Sequence, residues 1–387
     1  MKRNIAIGVA LLSIVGAGVF FTLPRIVDQR INGVALAAPH GANARATALH
    51  NTLFVADLHD DALLWSRDLL QRYDYGHSDL PRLQEGKVSL QVFSTVTKSP
   101  KGLNFERNGA DSDSITMLVM AQRWPRATWN SLLARALYQS EKLHRAAAGS
   151  GGAMRIVRSQ ADLASPAGPG TLLALLATEG LHPLEGKLEN VDALYDAGFR
   201  IMGLTHFFDN EIGGSAHGLE KGGLTPLGKQ VVARLQEKSV LVDLAHASPK
   251  VIDDVLTMTR KPLLVSHTGV QGTCPGPRNL SDRHIKAIAA TGGVMGIGYF
   301  EGAVCGLDTA SIVKAIRYTA KLVGVQHVAL GSDFDGATRT AFDATGLVRI
   351  TEGLLEAGFS EADVAAIMGG NVLRLLTVSY TNLTLPT

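Results

Sequence analysis

Seven residues carry the chemistry that this sequence suggests. His59 and Asp61 form an H-x-D pair in DLHDD. Glu179 closes ATE, His206 closes LTH, His246 closes DLAH and His267 closes VSH, while Asp333 lies in GSDFDG with Asp335 two residues on. Imidazole and carboxylate are zinc ligands, and a set without cysteine suits an open catalytic site better than a closed structural one. Along a strand, residues i and i+2 project to the same side, so His59 and Asp61 can reach one ion. Each residue alone has a duller reading: a strand-end histidine hydrogen-bonded within the fold, or a glutamate capping a helix. Their shared placement sets them apart, because each follows an apolar run.

Eight such runs are expected to be strands: LFVADLH, VSLQVFST, TLLALLATE, RIMGLTH, SVLVDLAH, PLLVSH, GGVMGIGY and HVALGSD. Near-continuous apolar runs suit strands buried on both faces, as in a parallel sheet. Helical segments alternate with several of them. TPLGKQVVARLQEK carries Pro226 near its start, and SPKVIDDVLTMTR opens on Ser248 as N-cap with Pro249 in the first turn. SDRHIKAIAATGG opens on a serine cap and closes on Gly292, and DTASIVKAIRYTAKLVG closes on Gly324. Strand–helix alternation with eight strands predicts an α/β fold of the (β/α)8 barrel type, with a doubly wound open sheet as the alternative. No G-x-G-x-x-G follows the first strand, which weakens a dinucleotide-binding reading. In a barrel the C-terminal ends of the strands meet at one mouth, so six strand ends would present a histidine or carboxylate to one spot. The stretch from Lys98 to Gly170 interrupts the alternation and is read as an excursion holding a polar loop, a helix around Ala127 to Ala148 and Gly/Pro-rich links. His40, His50, His144 and His284 are expected at the surface or in loops. His77, His182 and His217 are expected in loops bordering the mouth, and His327 at the wrong end of a strand for chemistry.

Composition narrows the function classes. Of 387 residues, 46% are hydrophobic and 19% charged, which excludes a disordered chain. Two cysteines exclude a disulfide-stapled miniprotein and a four-cysteine zinc site. A net charge of +2 without a basic run leaves no footprint for nucleic acid. At the N-terminus, Lys2 and Arg3 precede the apolar stretch Ile5 to Leu23, the general form of an export signal. Its length approaches the ~20 residues that span a bilayer. Ala35-Leu36-Ala37 offers a distant A-x-A cleavage site. An uncleaved anchor is the favoured reading, with a cleaved signal or a buried core helix as alternatives. Lys2 and Arg3 would stay cytoplasmic, placing the rest on the periplasmic side of the inner membrane, anchored or released. The domain expectation is an export or anchor segment with linker over 1–38, the catalytic barrel over 39–376 with its excursion at 98–170, and a tail over 377–387. That tail, TVSYTNLTLPT, lacks charge and amphipathic period. It resembles adapter read-through in metagenomic gene calls and is treated as non-native.

The ordered pieces DLHDD, ATEG, LTH, GLTPLGKQVV, VDLAHAS, VSHTG, RNLSD, GSDFDG and GGNVLRLL span roughly Leu53 to Leu376, and with them the chain resembles the membrane (renal) dipeptidase family, peptidase family M19. The resemblance implies a metal-dependent hydrolase barrel with two Zn2+ per chain. It implies His59 and Asp61 on the first zinc, Glu179 bridging both, and His246 and His267 completing the second. Asp333 would handle the proton, His206 would contact the substrate carbonyl, and Arg278 would bind the substrate's free carboxylate. Cys274 and Cys305 follow the apolar segment, where export permits a disulfide, and the resemblance supports that bridge; two reduced, buried thiols are the alternative.

The implied reaction is hydrolysis of a dipeptide by a hydroxide shared between two metals, with tolerance for a D-residue at the C-terminal side. Related binuclear zinc enzymes, such as N-acyl-amino-acid deacylases, lactonases and phosphotriesterases, usually carry H-x-H on strand one and often a bridging lysine. H-x-D and Glu179 favour the dipeptidase line. A membrane-anchored binding protein with a relic site is disfavoured by the intact ligand set. The expected partners are the dipeptide and, through an uncleaved N-terminal segment, the membrane. Homodimers are common in that family, but no interface is legible in the sequence.

Overall fold

The computed structural model describes the backbone of residues 2–165, 168 and 170–381, with side chains at 4, 16 and 18–379 within those ranges. All eight expected strands form: β1 (Val55–Asp60), β2 (Val88–Phe93), β4 (Leu172–Thr178), β5 (Phe199–Gly203), β6 (Leu241–Asp243), β7 (Leu264–Thr268), β8 (Val294–Ile297) and β9 (Val328–Leu330). Every pairing is parallel, and the sheet closes where β2 meets β4 and β1 meets β9, making a (β/α)8 barrel. The open-sheet alternative is thereby set aside. A further short strand, β3 (Met154–Ile156), adds to the outside edge of β4. It falls inside the excursion, which also holds helices Ile115–Ala121, Leu132–Gly149 and Gln160–Ala164.

The strands form as expected because both of their faces are buried: all seven residues of β4 and all six of β1 are inaccessible. One apolar cluster draws a residue from every barrel strand, among them Ala56, Leu90, Leu175, Ile201 and Ala329, and Val372 and Leu375 of the C-terminal helix pack onto it. A larger cluster joins the opposite strand faces to the surrounding helices through residues such as Val231, Val255, Ile285 and Ile316. The helix starts read from sequence are present. Ser248 accepts from Val251 N before helix Pro249–Met258, and Ser281 accepts from His284 N before helix Asp282–Ala290. Gly292 and Gly324 take positive φ at the expected stops.

The excursion packs onto the barrel through a fully buried Arg135. Its guanidinium pairs with Asp113 at 2.7 Å and donates to the carbonyls of Thr97 and Thr128. Cys274 and Cys305 form a disulfide between the loops after β7 and β8. The last helix, Asn371–Thr381, runs past the expected end at Leu376; residues 382–387 lie outside the described residues.

The expected anchor stretch Ile5 to Leu23 lies mostly where side chains are not described, and its backbone belongs to a helix, Lys2–Ile31. Among the described residues, one helical stretch, Glu361–Ser379, is long and apolar enough to cross a membrane. Its Val364, Ile367, Val372 and Leu375 are fully buried in the core.

Candidate metal centre and substrate pocket

His59 lies within β1 and His267 within β7, and the loops that follow β1, β4, β5, β6 and β9 bring Asp61, Glu179, His206, His246 and Asp333 to them. His59, Asp61, Glu179, His206, His246, His267 and Asp333 are all buried. Glu179 is the hub. Its Oε1 lies 3.0 Å from His246 Nε2, 3.2 Å from His267 Nε2 and 3.5 Å from His59 Nε2, and its Oε2 lies 3.2 Å from His206 Nε2. His59 Nε2 stands 3.7 Å from Asp61 Oδ1. Asp333 offers a carboxylate oxygen to the same space, grouped with His59 and His267.

Three observations show that this donor set fits divalent cations. His59 Nε2 and Asp61 Oδ1 are buried without a hydrogen-bond partner. The Nε2 atoms of His246 and His267 point at one another across 3.1 Å, an arrangement that a shared cation satisfies better than a hydrogen bond between two neutral rings. Three carboxylates, Asp61, Glu179 and Asp333, also crowd into one buried space. Burial and the Asp61 charge push Glu179 up to about 7. Burial, with the Glu179 and Asp61 charges, raises Asp333 well above the usual carboxylate range, against the pull of His59. Burial disfavours the charged form of His59, yet Asp61 and Glu179 outweigh it and raise that histidine. Burial and the cationic surroundings hold His246 and His267 low, as neutral ligands must be.

A supporting layer orients the rings, and it was not foreseen. Ser266 Oγ lies 2.9 Å from His267 Nδ1 and 3.3 Å from His59 Nδ1, which leaves both Nε2 atoms for the centre. Asp57 accepts from His59 N and from Ser332 N and Oγ, tying β1 to the loop that carries Asp333. Asp243 accepts from Ala245 N and Ser266 N beneath His246 and His267. His246 and Asp333 themselves take left-handed φ of 60° and 62°, conformations that cost about 1–3 kcal/mol each and persist where surroundings enforce them. Gly336 is obligatory here, because a Cβ would sit 2.2 Å from Asp333 Oδ1 and 3.0 Å from Asp61 Oδ2.

Arg278 reaches the same space. It is buried, donates from Nη2 to His267 O at 2.5 Å, and keeps Nε without a partner. Burial disfavours its charge, and Asp333, Glu179 and Asp243 only partly compensate, so its pKa is lowered. Arg278, Asp61, Glu179, His206, His246 and Asp333 form the polar end of a cavity of about 520 Å³. Most of the remaining wall is apolar, including Trp65, Phe105, Phe207 and Phe300, with Ser99, Ser114 and Thr338 among it.

The other histidines depart in part from expectation. His50 and His284 are buried, not at the surface: His50 bridges Thr351 Oγ1 at 2.8 Å and Gly86 O at 3.1 Å, and His284 faces Asp253 at 3.2 Å. His77 is fully buried behind the pocket, where its Nδ1 accepts from Asp335 N. Asp335 pairs with Arg67 at 2.7 Å and supports the loop without reaching the cavity. His182 packs against Phe208 in a tilted pair, while His217 packs between Phe105 and His246 beside the site.

The family model described as membrane dipeptidase (peptidase family M19) matches residues 43–382. A curated relative, the dipeptidase aclJ of Aspergillus oryzae, is 29% identical over 83% of this chain and 77% of its own length. Among solved structures, a metallopeptidase described as dipeptidase AC superposes with a TM-score of 0.71 at 24% identity, covering 85% of this chain and 99% of that one. A metallopeptidase from Rhodobacter sphaeroides, solved with a phosphinate mimic of the dipeptide L-Ala-D-Ala, has a TM-score of 0.67 at 23% identity, covering 85% and 99%. With the closed barrel and its histidine–carboxylate centre, the match over 43–382 places this chain in the membrane dipeptidase family, a family of metallo-dipeptidases.

Proposed function

We propose that the chain hydrolyses dipeptides with a free C-terminal carboxylate through two zinc ions, and that it accepts a D-residue on the C-terminal side. The observation that carries this reading is that Asp61, Glu179 and His246 line one cavity with a buried arginine that has an unused donor, while His59 and His267 stand against the same Glu179 oxygen. His59 and Asp61 would hold the first ion, His246 and His267 would hold the second, and the Glu179 carboxylate would serve both. Bound there, the ions supply an activated water and polarise the scissile carbonyl. His206 turns its Nε2–H from Glu179 to the carbonyl oxygen as negative charge grows there. Asp333 takes the proton of the attacking water and passes it to the leaving amine. Its raised proton affinity suits a group that must hold that proton for a moment. Arg278 clamps the terminal carboxylate with its free Nε–H and the neighbouring Nη. The relative solved with an L-Ala-D-Ala mimic supports the D-residue part of the proposal. The apolar N-terminal stretch supports a place at the periplasmic face of the inner membrane.

The clamp is tested by comparing a dipeptide with its C-terminal amide. The wild type is expected to prefer the free acid. Arg278→Ala is expected to lose about 10²–10³ in kcat/KM on the acid, mostly in KM, and to abolish the preference over the amide. Unchanged KM and kcat in this variant would remove Arg278 from the substrate site.

A further inference from the structure

The helix Lys2–Ile31 does more than precede the barrel. Phe20, Leu23, Pro24, Val27 and Ile31 on its second half line the same cavity as Asp61, Glu179 and Arg278. They add five apolar side chains to the wall of the pocket that the metal centre opens onto. The helix is held by buried polar contacts, not by grease alone. Asp28 pairs with Arg67 at 2.9 Å, both side chains 2–3% exposed, and Arg67 pairs in turn with Asp335 at 2.7 Å.

The segment after the helix is stitched to the loop that follows Asp333. Asn32 Oδ1 accepts from Ala337 N at 2.9 Å, and Gly33 O accepts from Thr340 N at 3.1 Å and His77 Nε2 at 3.0 Å. Ala35 N and Leu36 N then donate to the carbonyls of Thr340 and Ala341. That loop holds three non-glycine residues at positive φ, Asp333, Asp335 and Ala337, so it depends on its surroundings to keep its shape. Cleavage after Ala37 would remove every one of these contacts, leave Arg67 buried without Asp28 and open one wall of the pocket. A disposable leader has no reason to bury a charge pair against the catalytic loop.

We propose that the stretch from Phe20 to Leu36 is a retained part of the active site, and that Phe20, Leu23, Val27 and Ile31 form the wall that receives a bulky apolar side chain of the substrate. The substrate class rests on the dipeptidase reading above; retention of the segment does not. A dipeptide with apolar side chains fills this end of the pocket, while its carboxylate stays at the polar end with Arg278.

Two measurements decide it. The first is the N-terminus of the full-chain protein recovered from cells that make it, read by intact mass. A chain that begins before Phe20 is expected, and active enzyme beginning at Ala38 overturns retention. The second is the ratio of kcat/KM for leucyl-leucine to that for alanyl-alanine, in the full chain. Leu23 is 45% exposed, so Leu23→Asp leaves the fold intact while it places a charge in the wall. The ratio is expected to fall about tenfold in Leu23→Asp, as for a lost apolar pocket contact, and to be restored in Leu23→Met. A wild type that cleaves both substrates while Leu23→Asp keeps the ratio overturns the wall alone. A wild type that cleaves neither overturns the dipeptidase reading and with it the substrate assigned to this wall.

Discussion

Glu179→Gln is expected to cost the enzyme its metal and its activity together. The substitution keeps shape and size but removes the charge at the point where four imidazoles converge. Oε1 lies within 3.5 Å of three of them and Oε2 within 3.2 Å of the fourth. A carboxylate can face two cations with its two oxygens. A carboxamide has one neutral oxygen, and its NH2 group would point a proton at the space a cation needs. Removing one partner of a buried charged set costs about 3–5 kcal/mol, before the catalytic loss is counted. Zinc content is expected to fall below one ion per chain after dialysis, with kcat/KM down by at least about 10⁴. Elemental analysis of the purified variant beside its kinetics reads both. Full zinc occupancy in Glu179→Gln would end the bridging assignment.

Asp333→Asn is expected to separate chemistry from metal binding. Asp333 sits at left-handed φ on the β9 loop, and burial together with the Glu179 and Asp61 charges raises its proton affinity. An asparagine preserves the volume and tolerates that backbone conformation, but it cannot accept and return a proton. The expected loss is about 10²–10⁴ in kcat, the usual worth of positioned proton transfer, with KM and zinc content near those of the wild type. Zinc loss equal to that of Glu179→Gln would recast Asp333 as a ligand, and a kcat near the wild-type value would remove it from the proton path.

Much of this site was legible in the sequence because parallel barrel strands are apolar on both faces, so a histidine or carboxylate at the end of such a run stands out. Glu179 after LLALLAT and His267 in LLVSH are of this kind. What stayed hidden was polar support whose meaning is non-local. Ser266 reads as a strand-end serine until His59, 207 positions away in sequence, is seen to share its hydroxyl. His50 looked like a loop histidine because its partner Thr351 is 301 residues distant. β3 spans three residues, too few to show any period. The N-terminal stretch hid its contacts in another way. Its composition is that of an export signal or anchor, and composition carries no sign that Asp28 finds Arg67 or that Leu23 lines a cavity shared with Asp61 and Glu179.

The most direct test of a binuclear metallo-dipeptidase is hydrolysis by the full chain before metal stripping, after it, and after zinc is returned. The panel pairs L-L and L-D dipeptides with an N-acyl amino acid and a tripeptide. Cleavage of both dipeptides is expected to vanish with the metal and to return as two zinc ions per chain are restored, with the tripeptide and the acyl amino acid untouched. Protein that binds zinc and leaves every dipeptide intact while cleaving the acyl amino acid would contradict the account, and Arg278 would be the first assignment to fall.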